Sequence, residues 1–133
     1  MAIFRRRVSR EAERYHADQE LGGDFGALLE RAREAELTLR VKRAEGVSTE
    51  ELRAAGIDFD RALTEALRAA EAVQRTTFGE KAYDDRIARR KAKATPDGAK
   101  WTAEVNRLRT LREEHRLTGI ARVPRASAVA RKA

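Results

Sequence analysis

The chain has 133 residues, of which 38% are charged and 5% are aromatic, with a net charge of +7 and no cysteine. This length supports one domain with a modest core, and the missing thiols exclude disulfides and cysteine-ligated metals. The apolar runs are too short to span a membrane, and no apolar segment of a secretory signal follows the first basic residues, so we expect a cytoplasmic protein.

The first predicted elements are a basic arm and a short helix. Residues 1–8 mix apolar and basic side chains and are interpreted as an arm that folds onto the body or onto a partner. The arginines of this arm are Arg5, Arg6 and Arg7. Ser9 is a suitable cap for a helix over residues 9–20, and the glycine pair at 22 and 23 ends it.

A second helix is predicted from a cap at Asp24 to about Glu45, where Gly46 stops it. Its apolar stripe consists of Phe25, Leu28, Leu29, Ala32, Ala35 and Leu39. Leu37 and Val41 lie on another face of this helix, where they form either a second contact surface or isolated surface positions.

The next segment combines a capping box with a glycine. Ser48 and Glu51 have the capping-box spacing and predict a short helix that stops at Gly56. A short helix, a glycine turn and a longer helix are also the elements of a helix-turn-helix. That motif is disfavoured, because Glu51, Ala62 and Glu65 occupy positions where it needs bulky apolar side chains.

The strongest helical pattern covers residues 58–78, with Asp58 at the N-cap. Apolar or small residues recur at steps of three and four: Phe59, Leu63, Ala66, Leu67, Ala70, Val73 and Thr77. A helix with one such stripe must bury it, so the rest of the chain is predicted to pack around this helix.

Three features follow the central helix. Gly79 is expected to kink or end it, and a thin apolar stripe then continues through Tyr83, Ile87 and Ala94. Residues 95–98, with the sequence TPDG, predict a turn because Pro96 cannot continue a preceding helix.

The last predicted helix covers residues 97–117, and Gly119 closes it. Its apolar side consists of Trp101, Val105, Leu108, Leu111 and His115. This helix is predicted to pair antiparallel with the central helix, while the helix of Phe25 packs across both. The predicted fold is a small all-α bundle of four to five helices over residues 9–119, followed by an extended basic tail over residues 120–133.

Catalytic patterns are absent from the sequence. There are two histidines, no glycine-rich phosphate loop, and a single Glu13-x-x-His16 pair where a di-iron bundle needs two. We therefore expect a protein that is not an enzyme, with no cofactor, no metal and no small-molecule substrate.

The charge is unevenly distributed along the chain. Residues 1–16 carry +3, residues 17–80 carry −5, and residues 81–133 carry +9. A charge that served only solubility would be spread evenly, so this distribution indicates a polyanionic partner.

Basic residues beside the last two apolar stripes are the candidate binding residues, together with the three arginines of the arm. They are Arg86, Arg89, Arg90, Lys91, Lys93, Lys100, Arg107, Arg109, Arg112 and Arg116. Two antiparallel helices that meet at Pro96 would place them on adjacent edges of one surface, which would neutralise backbone phosphates without reading bases. The alternative is that they form solvated helix faces. Trp101 and Tyr83 either stack on bases or pack in the core.

The sequence thus favours a non-enzymatic, sequence-nonspecific nucleic-acid-contacting subunit of a larger nucleoprotein assembly. The alternative is a phage or mobile-element structural or assembly protein, of adaptor or scaffold type, that binds an acidic protein. The partners in both cases are nucleic acid or protein subunits, and no membrane is expected.

Overall fold

The computed structural model describes the backbone of residues 2–118 and the side chains of residues 10–118. Over this range the chain forms five α-helices and one 3-10 helix, Glu80–Tyr83, and contains no strand. The α-helices are α1 (Ala2–Gly23), α2 (Phe25–Glu45), α3 (Thr49–Phe78), α4 (Arg86–Lys93) and α5 (Pro96–Thr118). The predicted small all-α bundle with a long central helix is confirmed, whereas the predicted tail and the side chains of the predicted arm lie outside the described residues.

The first helix is longer than predicted. It begins at Ala2 rather than at Ser9, so the backbone of residues 2–8 continues directly into α1. The physical reason is that alanine and arginine are good helix formers and nothing before Ser9 breaks a helix. The predicted end at the glycine pair is confirmed, and Gly22 has a packing role there. A Cβ on Gly22 would lie 2.7 Å from Cγ2 of Val73 in α3, so the missing side chain lets the two helices approach closely.

The second helix has the predicted bounds. Asp24 occupies the N-cap position, although its side chain makes no capping hydrogen bond. Gly46 ends α2 in the left-handed conformation with φ of 71°, which glycine adopts at little cost. A three-residue connection then leads into α3, so α2 and α3 are antiparallel neighbours.

The third helix corrects the prediction of two separate helices. Ser48 accepts a hydrogen bond from the backbone N–H of Glu51 at 3.2 Å, as the capping box predicted, but α3 then continues for 30 residues through Gly56 and Asp58. One internal glycine costs only about 1 kcal/mol relative to alanine, and burial of its neighbours Ala55 and Phe59 offsets this. Because no turn separates two helices here, the segment is not a helix-turn-helix.

The third helix is the centre of the bundle, and α1, α2 and α5 all pack on it. The main core joins α2, α3 and α5 and consists of Ala32, Leu39, Ala55, Phe59, Leu63, Leu67, Ala70, Val105 and Leu108. The predicted antiparallel pairing of α3 and α5 is confirmed by contacts at both ends. His115 Nε2 lies 2.8 Å from the carbonyl oxygen of Gly56, and Gln74 donates to Thr102 at 3.1 Å. Phe25 of α2 meets Trp101 of α5 edge to face, with the ring centroids 5.3 Å apart.

The segment after α3 departs from the predicted stripe. Gly79 ends α3 with φ of 99°, as predicted, and Tyr83 is buried. Ile87, however, is 67% exposed, and Ala94 is also exposed. The reason is that the chain leaves the 3-10 helix after Tyr83 and starts α4 with a different rotational phase, in which the half-buried positions are the small residues Ala88 and Ala92.

No helix within residues 2–118 is long and apolar enough to cross a membrane.

Candidate nucleic-acid interface

The α4 basic cluster consists of five of the eight residues of that helix: Arg86, Arg89, Arg90, Lys91 and Lys93. The helix has no acidic residue, and none of its residues is buried. Among the side chains that the structure describes, no ion pair includes a member of this cluster. A helix this short is not stable alone, so its position depends on how its two ends are held.

The N-terminal end of α4 is held by Asp85. One oxygen of its carboxylate accepts hydrogen bonds from the backbone N–H groups of Ile87 and Ala88, at 2.9 and 3.2 Å. The negative charge of this carboxylate also interacts favourably with the positive N-terminal end of the helix dipole. The basic residues of the last turn interact favourably with the negative C-terminal end.

The C-terminal end of α4 is held by a tight corner with α5. The Thr95 hydroxyl donates to the carbonyl oxygen of Ala92 at 2.6 Å and accepts from the backbone N–H of Gly98 at 3.1 Å. Pro96 occupies the first position of α5, where its missing N–H costs nothing. A Cβ on Gly98 would lie only 2.0 Å from the Ala92 oxygen, so this corner requires glycine. The predicted stop before Pro96 is confirmed, but residues 96–98 form the first turn of α5 rather than a separate turn, because proline suits the first position of a helix. The break at residues 94 and 95 fixes α4 relative to the bundle.

Three of the four predicted arginines of α5 are engaged in ion pairs. Arg116 donates to both carboxylate oxygens of Asp60 in α3, at 2.7 and 3.2 Å, and this hydrogen bonding holds the pKa of Asp60 below its ordinary value. Arg109 donates to Glu71 of α3 at 3.1 Å, and Arg107 pairs with Glu104 of its own helix. Two of these arginines therefore join α5 to α3.

The remaining two predicted residues of α5 differ from each other. Arg112 is half-buried and donates to Thr64 of α3 at 3.4 Å, while its Nε is buried without a hydrogen-bond partner among the described atoms. Lys100 is exposed close after the corner, with its ammonium 5.9 Å from the centroid of the Trp101 ring. The structure thus divides the predicted binding residues into a group on α4, with Lys100 nearby in sequence, and a group on α5 that contacts acidic or polar partners.

The two candidate stacking residues both pack against the body. Tyr83 is 8% exposed, and its hydroxyl donates to Asp18 of α1 at 2.5 Å. Trp101 is half-buried against Phe25. Of the two predicted roles, base stacking and packing in the core, the structure therefore supports packing for both rings.

Sequence reasoning missed a polar network that lies beside α4. Arg75 of α3 donates to both oxygens of Asp18, at 2.8 and 3.0 Å, across 57 positions of sequence. Burial alone would raise the pKa of Asp18, but hydrogen bonds from Arg75 and Tyr83 outweigh it and keep that pKa below its ordinary value. Burial and the hydrogen bond to Asp18 also raise the pKa of Tyr83. The guanidinium of Arg14 lies over the Tyr83 ring, 5.3 Å from its centroid. No local pattern marks Arg14, Asp18 or Arg75, because each of them is a single polar position on a helix surface.

Comparison of the chain with protein-family models, with curated proteins and with solved structures found no match. Within the described residues, no group of three or more histidine, aspartate or glutamate side chains is arranged to hold a metal ion.

Proposed function

We propose that the protein is a non-enzymatic subunit of a nucleoprotein assembly that contacts the nucleic-acid backbone through the α4 basic cluster, without reading base sequence. The observation that carries this proposal is the cluster itself. Five cations lie on one short helix that buries no side chain, and both ends of that helix are held by specific hydrogen bonds.

The composition of α4 supports a partner that carries repeated negative charge. Helices normally pack through an apolar stripe, but α4 has only half-buried alanines on its inner side and exposes Ile87. Five like charges within eight residues also repel one another, which is unfavourable unless a polyanion or counterions neutralise them. A nucleic acid supplies such charge, with the gain that condensed counterions are released on binding.

The geometry of α4 suits a phosphate backbone. Arg86, Arg89, Arg90 and Lys93 are spaced at three, four and seven, so they share one face of the helix. From the first to the last of them the helix rises about 10 Å, which corresponds to about three nucleotide steps along a duplex axis. Arginine and lysine on a fixed helix can contact successive phosphates, and such contacts position a protein without giving sequence preference.

The test is a titration of fluorescent single- and double-stranded DNA and RNA at several salt concentrations. If the four cations that share one face of α4 each contact a phosphate, the logarithm of affinity should fall with the logarithm of salt with a slope of roughly −2.8 to −3.6. Affinity should vary little among sequences of the same length and strandedness. Absence of binding to all four nucleic acids at low salt would refute the proposal.

The second candidate function is an adaptor or assembly protein that binds an acidic protein. The observation that favours it is on α2, where Leu37 is 63% exposed and Val41 is 46% exposed, one turn apart on the same side. Exposed apolar side chains at this spacing fit a partner helix, and the net positive charge of the chain would favour an acidic one. A shallow salt slope, together with loss of partner binding in Leu37→Ser, would favour this function over the first.

A further inference from the structure

A small cavity lies between the α4 basic cluster and the body of the bundle. Its volume is about 100 Å³, and it is lined by Arg14, Arg75, Phe78, Ala82, Tyr83 and Arg89. The three arginines come from three different helices, α1, α3 and α4. Three guanidinium groups around one cavity repel one another, so their convergence needs a physical explanation.

The described contacts of these arginines leave an excess of positive charge. Asp18 is the carboxylate that pairs with Arg75, and it also accepts the Tyr83 hydroxyl. Arg14 contacts the face of the Tyr83 ring, and Arg89 donates through Nη1 to the Tyr83 carbonyl oxygen at 3.4 Å. Neither of these two contacts is with an anion. The pairing with Asp18 therefore balances one of the three guanidinium charges that line the cavity.

We infer that this cavity is a binding site for a single phosphate group. Each guanidinium carries five N–H donors in a planar fork, and Arg75 uses only two of its five on Asp18. The volume is large enough to admit a phosphate group. Phe78 and Ala82 supply an apolar part of the lining, beside which hydrogen bonds between ions are stronger than in bulk water.

The source of the phosphate follows from the proposed function, on which this part of the inference rests. Arg89 belongs both to the α4 basic cluster and to the cavity lining, so the cavity is continuous with the surface that we assign to nucleic acid. Two sources share the required chemistry. One is a phosphate within the backbone, and the other is the terminal phosphate of a strand, which carries more negative charge and enters a recess from one side.

The first experiment uses inorganic phosphate as the probe and the intact chain as the protein. Thermal unfolding is followed in sodium phosphate and in sodium chloride of equal ionic strength for the wild type, for Arg14→Gln/Arg89→Gln, and for Arg86→Gln/Arg90→Gln. The last variant is the matched control, because it also loses two positive charges, both from α4, without changing the cavity lining. Phosphate should raise the Tm of the wild type and of the control, and the affinity derived from this shift should fall about tenfold or more in the cavity variant. Equal phosphate-dependent shifts in all three proteins, or no shift in the wild type, would overturn the inference.

The second experiment distinguishes the two sources with oligonucleotides of one sequence that carry either a 5′-phosphate or a 5′-hydroxyl. A terminal site predicts tighter binding of the phosphorylated strand by the wild type and the control, with the difference lost in the cavity variant. A backbone site predicts equal binding of both strands and a weakening of both in the cavity variant beyond that of the control. If the cavity variant binds both strands as the control does, the cavity is not part of the interface and the inference fails. If the wild type binds phosphate but neither strand, the proposed function fails while the phosphate site remains.

Discussion

Removing charge from α4 and removing the same charge from α5 should have different consequences. The α4 variant is Arg86→Gln/Arg90→Gln/Lys93→Gln, whose residues are exposed and take part in no described ion pair. Each phosphate contact contributes about 0.7 to 0.9 to the salt slope, so losing three contacts should make the slope shallower by roughly 2 to 3. Because none of the three residues is buried or in a described ion pair, the Tm at moderate salt should stay close to that of the wild type.

The matched variant is Arg107→Gln/Arg109→Gln/Arg116→Gln, which removes the same number of charges from α5. Two of these residues join α5 to α3 through Glu71 and Asp60, so the Tm should fall. An exposed pair such as Arg109–Glu71 is worth about 0.2–1 kcal/mol, so the fall should be small and the protein should remain folded. Its salt slope should remain close to that of the wild type. The assay is fluorescence anisotropy at four or more salt concentrations, with circular dichroism to follow unfolding. A larger loss of slope in the α5 variant than in the α4 variant would refute the assignment of the interface to α4.

Three further predictions concern the fold. Leu67→Ala should destabilise the protein by about 2–5 kcal/mol because Leu67 is 3% exposed in the core, whereas Leu37→Ala should change the free energy of unfolding by less than about 0.5 kcal/mol. Gly56→Ala should stabilise it by about 0.4–1 kcal/mol, because the position is helical and a Cβ there would make only ordinary contacts, the nearest at 3.7 Å. Asp18 and Asp60 have pKa values held below the ordinary 3.8, so the stability they contribute is present above that pH and is lost as pH falls through the lowered values.

Urea denaturation measures the free energy of unfolding in all three cases. A cost below about 0.5 kcal/mol for Leu67→Ala would mean that the stripe is not a core in the isolated chain. A destabilising Gly56→Ala would mean that the contact with His115 requires glycine. The double variant Asp18→Asn/Asp60→Asn should lose less stability than the wild type as pH falls below 3.8, and equal losses would contradict the role of these carboxylates in acid sensitivity.

The sequence by itself determined the features that depend on neighbouring residues. Apolar periodicity identified the stripes of α2, α3 and α5, because residues three or four apart share a helix face whatever the rest of the chain does. The capping box identified the start of α3 at Ser48, Pro96 identified the break between α4 and α5, and glycine identified the ends of α2 and α3. These signals fixed the fold class and located most helix boundaries.

The local rules failed where tertiary packing competed with them. Local helix propensity predicts that Gly56 ends a helix, yet α3 continues through it, because the cost of one helical glycine is smaller than the gain from burying the residues around it. The predicted apolar stripe through Ile87 assumes one continuous helix from Tyr83 onward. The break after Tyr83 resets the helical phase, and no sequence period records the reset.

The candidate site likewise has features that depend on neighbouring residues and features that depend on tertiary packing. The sequence identified the basic residues and their spacing on each helix, which is local information. Whether a given arginine has a carboxylate partner depends on residues far away: Arg116 meets Asp60 across 56 positions and Arg109 meets Glu71 across 38. The convergence of Arg14, Arg75 and Arg89 on one cavity likewise follows from the packing of three helices. Charge is carried by the sequence, but the distance between charges decides their interaction, and only the tertiary structure sets that distance.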